Sequence, residues 1–136
     1  MKILALDLGD RWTGIAIADP FLITAQPFTT IASSELVKQL QEIINNQNIT
    51  RIVLGLPTTL RGTESEQTKK IKATGEQLKK QFPQIEWVWW DERLTSKQAA
   101  HLVRPKNKKD KLATHAVAAA FLLQGYIEFI RQQMNE

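Results

Sequence analysis

The chain has 136 residues, 43% hydrophobic and 24% charged, ordinary proportions for a globular protein with a proper core, and it is read as one domain over 1–136. Eighteen Lys and Arg against fourteen Asp and Glu leave a net charge of +4, which permits nucleic-acid binding without requiring it. The absence of cysteine excludes a disulfide framework and a thiolate metal site.

Lys2 to Gly9 opens with an apolar run, Ile3 to Leu8, which predicts a central strand buried on both faces. Asp7 stands near its C-terminal end, and a buried carboxylate needs a metal ion, a cationic partner or a solvent-filled cleft. A turn-capping role beside Gly9-Asp10 is the competing reading. Gly9 and Gly14 let the backbone turn tightly and approach a ligand. Thr13 to Asp19 reads as a second strand paired with the first, and Ile23 to Ile31 as a third. Pro27 assigns that third strand to a sheet edge, where its missing N–H is harmless.

Ser33 or Ser34 is a candidate cap for a helix with apolar positions Leu36, Val37, Leu40, Ile43 and Ile44, ending near Asn45-Asn46. Ile52 to Leu56 is another buried strand, closed by Pro57 and a loop from Thr58 to Gly62. Thr63 with Glu66 has capping-box spacing and opens a largely exposed helix to about Lys80, with a thin stripe at Ile71, Leu78 and Phe82. Ile85 to Trp90 is the fifth strand, with Trp87, Trp89 and Trp90 assigned to the core and Asp91 and Glu92 at its end. Thr95 with Gln98 starts a short helix to Val103. Arg104 to Asp110 is a basic loop, and Asp110 caps a last helix from Lys111 to about Gln132. That helix buries Ala116, Ala119, Ala120, Leu123, Ile127 and Ile130, its alanines permitting close approach to the sheet, and Gly125 marks a possible tight contact. The run Ala116–Leu123 is far too short to span a membrane. Asp7 and Asp10 interrupt the N-terminal apolar run, which is therefore not a signal peptide. The expectation is a soluble cytosolic protein without membrane contact.

The predicted architecture is α/β, with a three-strand antiparallel meander plus two parallel strands reached by right-handed crossovers and flanked by helices. Ligands of such sheets gather outside the C-terminal ends of the parallel strands, where Asp7 and Glu92 both fall. Glu92 alone reads as a surface partner of Arg93. Together the two carboxylates point to a hard cation, Mg²⁺ or Mn²⁺, and to phosphodiester chemistry. The run Arg104, Lys106, Lys108, Lys109 and Lys111 borders that end and suits phosphate contacts, the alternative being a solvated loop. Arg11 and Trp12, in the first turn, are candidate nucleic-acid contacts through charge and base stacking. Cover for the hairpin end is an equal reading of Trp12. His101 receives no role.

Four segments in order resemble the YqgF (RuvX) family: Asp7-Leu8-Gly9 through Gly14 to Asp19, Val53 to Pro57 with Gly62-Thr63, Asp91 to Thr95, and the Ala-rich helix ending Leu123-Gln124-Gly125-Tyr126. The resemblance covers essentially the whole length. It implies a ribonuclease H-like five-stranded fold shared with RuvC-type Holliday junction resolvases. It also implies nuclease activity that matures the 5′ end of pre-16S rRNA, with branched DNA as a further candidate substrate. The family's metal ligands correspond to Asp7 and Glu92. Its third ligand is usually an aspartate eleven residues before the final aromatic, and here that position holds His115. Imidazole is a poorer ligand for Mg²⁺ than for Mn²⁺ or later metals. Two further functions stay open: a binding factor that keeps the fold with weakened catalysis, and an actin-type nucleotide module, for which the chain lacks a second domain. Both a monomer and a homodimer are compatible with the sequence.

Overall fold

The computed structural model describes residues 1–56, 65–91 and 108–134, the stretch 108–113 by its backbone alone. The predicted loop from Thr58, the Thr63 cap and the helix from Thr95 to Val103 lie outside the described residues.

Five strands form one mixed sheet: β1 (Ile3–Asp7), β2 (Trp12–Ala18), β3 (Ala25–Ala32), β4 (Arg51–Leu56) and β5 (Glu86–Asp91). Their spatial order is β3-β2-β1-β4-β5, so β1 is the middle strand. The first three pair antiparallel, and β1–β4 and β4–β5 pair parallel. Three helices complete the described fold: α1 (Leu36–Gln47), α2 (Glu66–Gln81) and α3 (Lys108–Met134).

Strand alternation divides the core into two layers. Leu4, Leu6 and Leu8 join Ile15, Leu40, Ile44, Ile71 and Leu78 on the face covered by α1 and α2. Ile3 and Ala5 join Ala16, Ala119, Leu123 and Ile127 on the face covered by α3. Asp7, two residues beyond Ala5, therefore belongs to the α3 face. β3 is an edge, as Pro27 required, and its register slips between Ile15 and Ala16 of β2, where Phe28 is bulged out.

Several local expectations change. Ser33 does not cap α1 with its side chain; residues Ser33–Glu35 form a 3-10 turn that leads into the helix. Val37 is exposed, one position off the buried stripe. The helix continues past Asn45-Asn46 to Gln47 because Asn48 takes the left-handed conformation, φ 55°, and donates its N–H to Ile44 O. Ser65 caps α2, its hydroxyl accepting from Thr68 N, which places Glu66 in the first turn rather than at a capping-box position. Asp110 is not a cap, because α3 already begins at Lys108. Trp87, Trp89 and Trp90 are only half-buried, packed on the core from an edge strand that has a neighbour on one side. Ile130 is also half-buried, whereas the other predicted core positions of α3 are buried.

The β2–β3 connection is held by Asp19, whose carboxylate accepts from the N–H groups of Phe21 (2.9 Å), Ile23 (2.7 Å) and Thr24. These donors, Thr24 foremost, hold its pKa below the ordinary value. A carboxyl depressed in the folded state stabilises above its unfolded pKa and loses that contribution as pH falls through the folded one. Asp19→Ala is therefore expected to melt at lower temperature than the parent at neutral pH. The gap should narrow as the buffer falls below about pH 4. Melting temperatures recorded across pH check this, and a gap independent of pH would contradict it.

Candidate metal and nucleic-acid site

Asp7 closes β1 as a half-buried residue engaged by a neighbouring group. It stands in register with Gly14 of β2. Across that glycine lies α3. A Cβ on Gly14 would fall on the carbonyl oxygen of His115, so the missing side chain is what lets the helix backbone rest on the strand. Ala116, Ala119 and Ala120 continue the close approach along the sheet. The glycine noted in the sequence for its closeness to a ligand is thus a seat for the helix. The outcome is that half-buried His115 rides directly over the strand pair that carries Asp7.

Glu92 lies outside the described residues. The residue before it, Asp91, is in register with Leu56, the last residue of β4, at the C-terminal end of the parallel strands. The structure thus brings Asp7 and His115 into one neighbourhood and follows β5 to that same end of the sheet.

An aspartate oxygen and an imidazole nitrogen suit a divalent ion of the Mn²⁺ type better than Mg²⁺. Among the described residues no three His, Asp or Glu side chains are grouped to hold an ion. Two donors fit such a cation but leave it weakly held, so the fit turns on a further carboxylate, the part assigned to Glu92.

Arg11 and Trp12 lie in the turn that follows Asp7, Arg11 exposed and Trp12 half-buried. The Arg11 carbonyl accepts from Ser33 N at 2.9 Å. Lys108, Lys109 and Lys111 fall in the opening turns of α3, which run toward His115, and the positive pole of the helix adds to their charge. Arg104 and Lys106 lie outside the described residues.

Sequence reasoning missed one device here. Ser33 Oγ donates to Gly9 O at 2.6 Å and lies 2.9 Å from Oγ1 of fully buried Thr13. With its own proton on Gly9, Ser33 can only accept from Thr13. The two hydroxyls thereby fasten the turn after Asp7 to the start of α1. Serine before an apolar helix reads as a cap, and nothing in the sequence distinguishes the two uses.

A family model described as "RuvX: Holliday junction resolvase" matches residues 1–129. A protein of Sulfurihydrogenibium sp. described as a candidate pre-16S rRNA nuclease is 41% identical over 132 residues, covering 93% of this chain and 90% of its own. A Clostridium tetani protein of the same description is 40% identical over 140 residues, with 96% and 98% covered. Among solved structures, Thermus thermophilus RuvC in complex with a Holliday junction substrate superposes with a TM-score of 0.68 at 12% identity, covering 97% of this chain and 96% of that one. RuvC of the same organism in a second structure gives 0.61 at 10% identity, with 98% and 97% covered. The five-stranded mixed sheet with its helices is therefore the ribonuclease H-like fold of RuvC.

Proposed function

Because the chain belongs to the RuvX family, we propose that it is a metal-dependent endonuclease that hydrolyses phosphodiester bonds in structured nucleic acid, its substrate the 5′ end of the 16S rRNA precursor. The observation that carries the reading is the seat of α3 on Gly14, which holds His115 over the Asp7 strand end. Asp7, Glu92 and His115 hold the ion, Mg²⁺ or Mn²⁺. When bound, that ion supplies Lewis acidity at the phosphate. Arg104, Lys106, Lys108, Lys109 and Lys111 hold the backbone by charge, together with Arg11, and Trp12 offers a stacking surface. The names of the curated relatives favour ribosomal precursor RNA, and the RuvC complex keeps branched DNA as the second substrate. A single domain over 1–136 acting in the cytosol completes the proposal. A monomer suffices for trimming RNA, whereas resolving a junction needs two sites and hence a homodimer. No helix among the described residues is long and apolar enough to cross a membrane.

The purified protein should shorten a 5′-extended 16S precursor in the presence of Mn²⁺ and, more slowly, Mg²⁺. His115→Asp should raise the rate with Mg²⁺ on the order of tenfold, equivalent to about 1.4 kcal/mol, and reduce the preference for Mn²⁺. His115→Ala should lose activity with both ions. A His115→Ala protein that cleaves like the parent would make the ring a bystander. Should neither the parent nor His115→Asp cut RNA or a four-way junction, the binding-factor reading replaces this one.

A further inference from the structure

On the face of the sheet opposite Asp7 lies a cavity of about 350 Å³, between the β1–β2 turn, the start of α1 and one side of α2. Its size falls within the range of small-ligand sites, roughly 300–1,000 Å³. Leu8, Leu36 and Ile71 supply apolar wall. Asp10, Gln77 and Lys70 supply polar groups at exposed positions. Lys70 forms no ion pair among the described residues. The hydroxyl pair Thr13–Ser33 holds Gly9 at the rim, so the wall beside the turn is fixed rather than free to collapse.

Leu8, Gly9 and Asp10 directly follow Asp7, so the cavity opens at the same end of the sheet as the proposed cleavage site. A strand passing over that end could leave a phosphate at Asp7 and turn a neighbouring base down the other face. The lining matches such a base. Its flat faces suit Leu8, Leu36 and Ile71, while its edge meets an acceptor at Asp10 and both a donor and an acceptor at Gln77. Asp10 also argues against a phosphate inside, since two anions would meet there; the phosphate belongs at the rim with Lys70. A base held in a duplex has this edge taken by its partner and cannot offer it to Asp10 and Gln77. We propose that this cavity is a subsite for one unpaired nucleotide of an RNA substrate, next to the scissile position. The inference rests on the nuclease reading above and adds a preference for single-stranded RNA beside the cut.

The test measures binding rather than cleavage. A short single-stranded RNA carrying 2-aminopurine is titrated into the full chain in EDTA, with duplex RNA of the same sequence as comparison. The wild-type protein should change the probe's fluorescence. Ala73→Met, which fills the cavity from an exposed helical position, should weaken single-strand binding about tenfold and leave duplex binding within about twofold. Lys70→Glu should weaken the single strand as well. Melting temperatures verify that each variant is folded. Unchanged single-strand affinity in Ala73→Met, or equal losses on single strand and duplex, overturns the subsite. If the probe responds as expected while no nucleic acid is cut with either ion, the cavity stands as a site for an unpaired nucleotide, whereas the scissile position beside it and the nuclease reading fall. Cleavage without a probe response removes the subsite alone.

Discussion

Asp7→Asn is expected to lower cleavage on the order of 10³-fold while the protein remains folded. The substitution keeps the size of the side chain and its place at the end of β1, in register with Gly14. What it removes is the negative charge, and with it, on the proposed reading, the hold on a divalent ion and the stabilisation that ion would lend to a crowded phosphate. Asp7 is half-buried on the middle strand of the sheet, so its position is fixed by the fold. Glu92→Gln should act in the same direction. Single-turnover cleavage over a range of Mn²⁺ concentrations checks both, alongside melting curves. Near-native rates at low metal in either variant would sink the shared-site assignment.

Among the glycines of the described residues, Gly14 should tolerate a methyl group least, so Gly14→Ala should be strongly destabilising. A methyl group there would fall on the backbone carbonyl of His115, and neither partner can rotate away, because one is a strand and the other a helix. Overpacking of this kind costs about 3 kcal/mol at its upper end. The intrinsic preference of a strand for alanine over glycine returns about 0.5–1 kcal/mol of that. The net loss should appear as a lower urea midpoint. Because α3 must lift from β2, cleavage should fall even under conditions where the variant is folded. A variant as stable and as active as the parent would show that the crossing over Gly14 is not what seats the helix.

Much of this was legible in the residues. Apolar runs marked β1, β2 and β4 because these strands bury their side chains against helices. Pro27 fixed β3 as an edge through a missing donor. The alanines of α3 announced a helix lying close on the sheet. Other features were hidden because they depend on distant partners. Gly14 has the same signature as any strand glycine, and only the arrival of His115 from the far end of the chain gives it a purpose. The tryptophans of β5 looked like core because composition reports apolarity, whereas exposure depends on which strand has no outer neighbour. Ser33 carried a helix-start signal, yet its hydroxyl is spent on Gly9. Of the proposed metal donors, Asp7 stood out as a charge in an apolar strand. His115 had no such signal of its own, and the family resemblance alone singled it out.

The seat of α3 on Gly14 also bears on when the protein becomes active. During translation the three-strand meander leaves the ribosome first and can pair through neighbouring sequence, since domains synthesised in this direction order from their N-terminal part. Asp7 is then already present. Its companion on α3 emerges after all five strands, and the helix cannot dock before it exists. A nascent chain that has exposed only the meander therefore holds one of the three proposed ligands, and the centre can assemble only after α3 has followed.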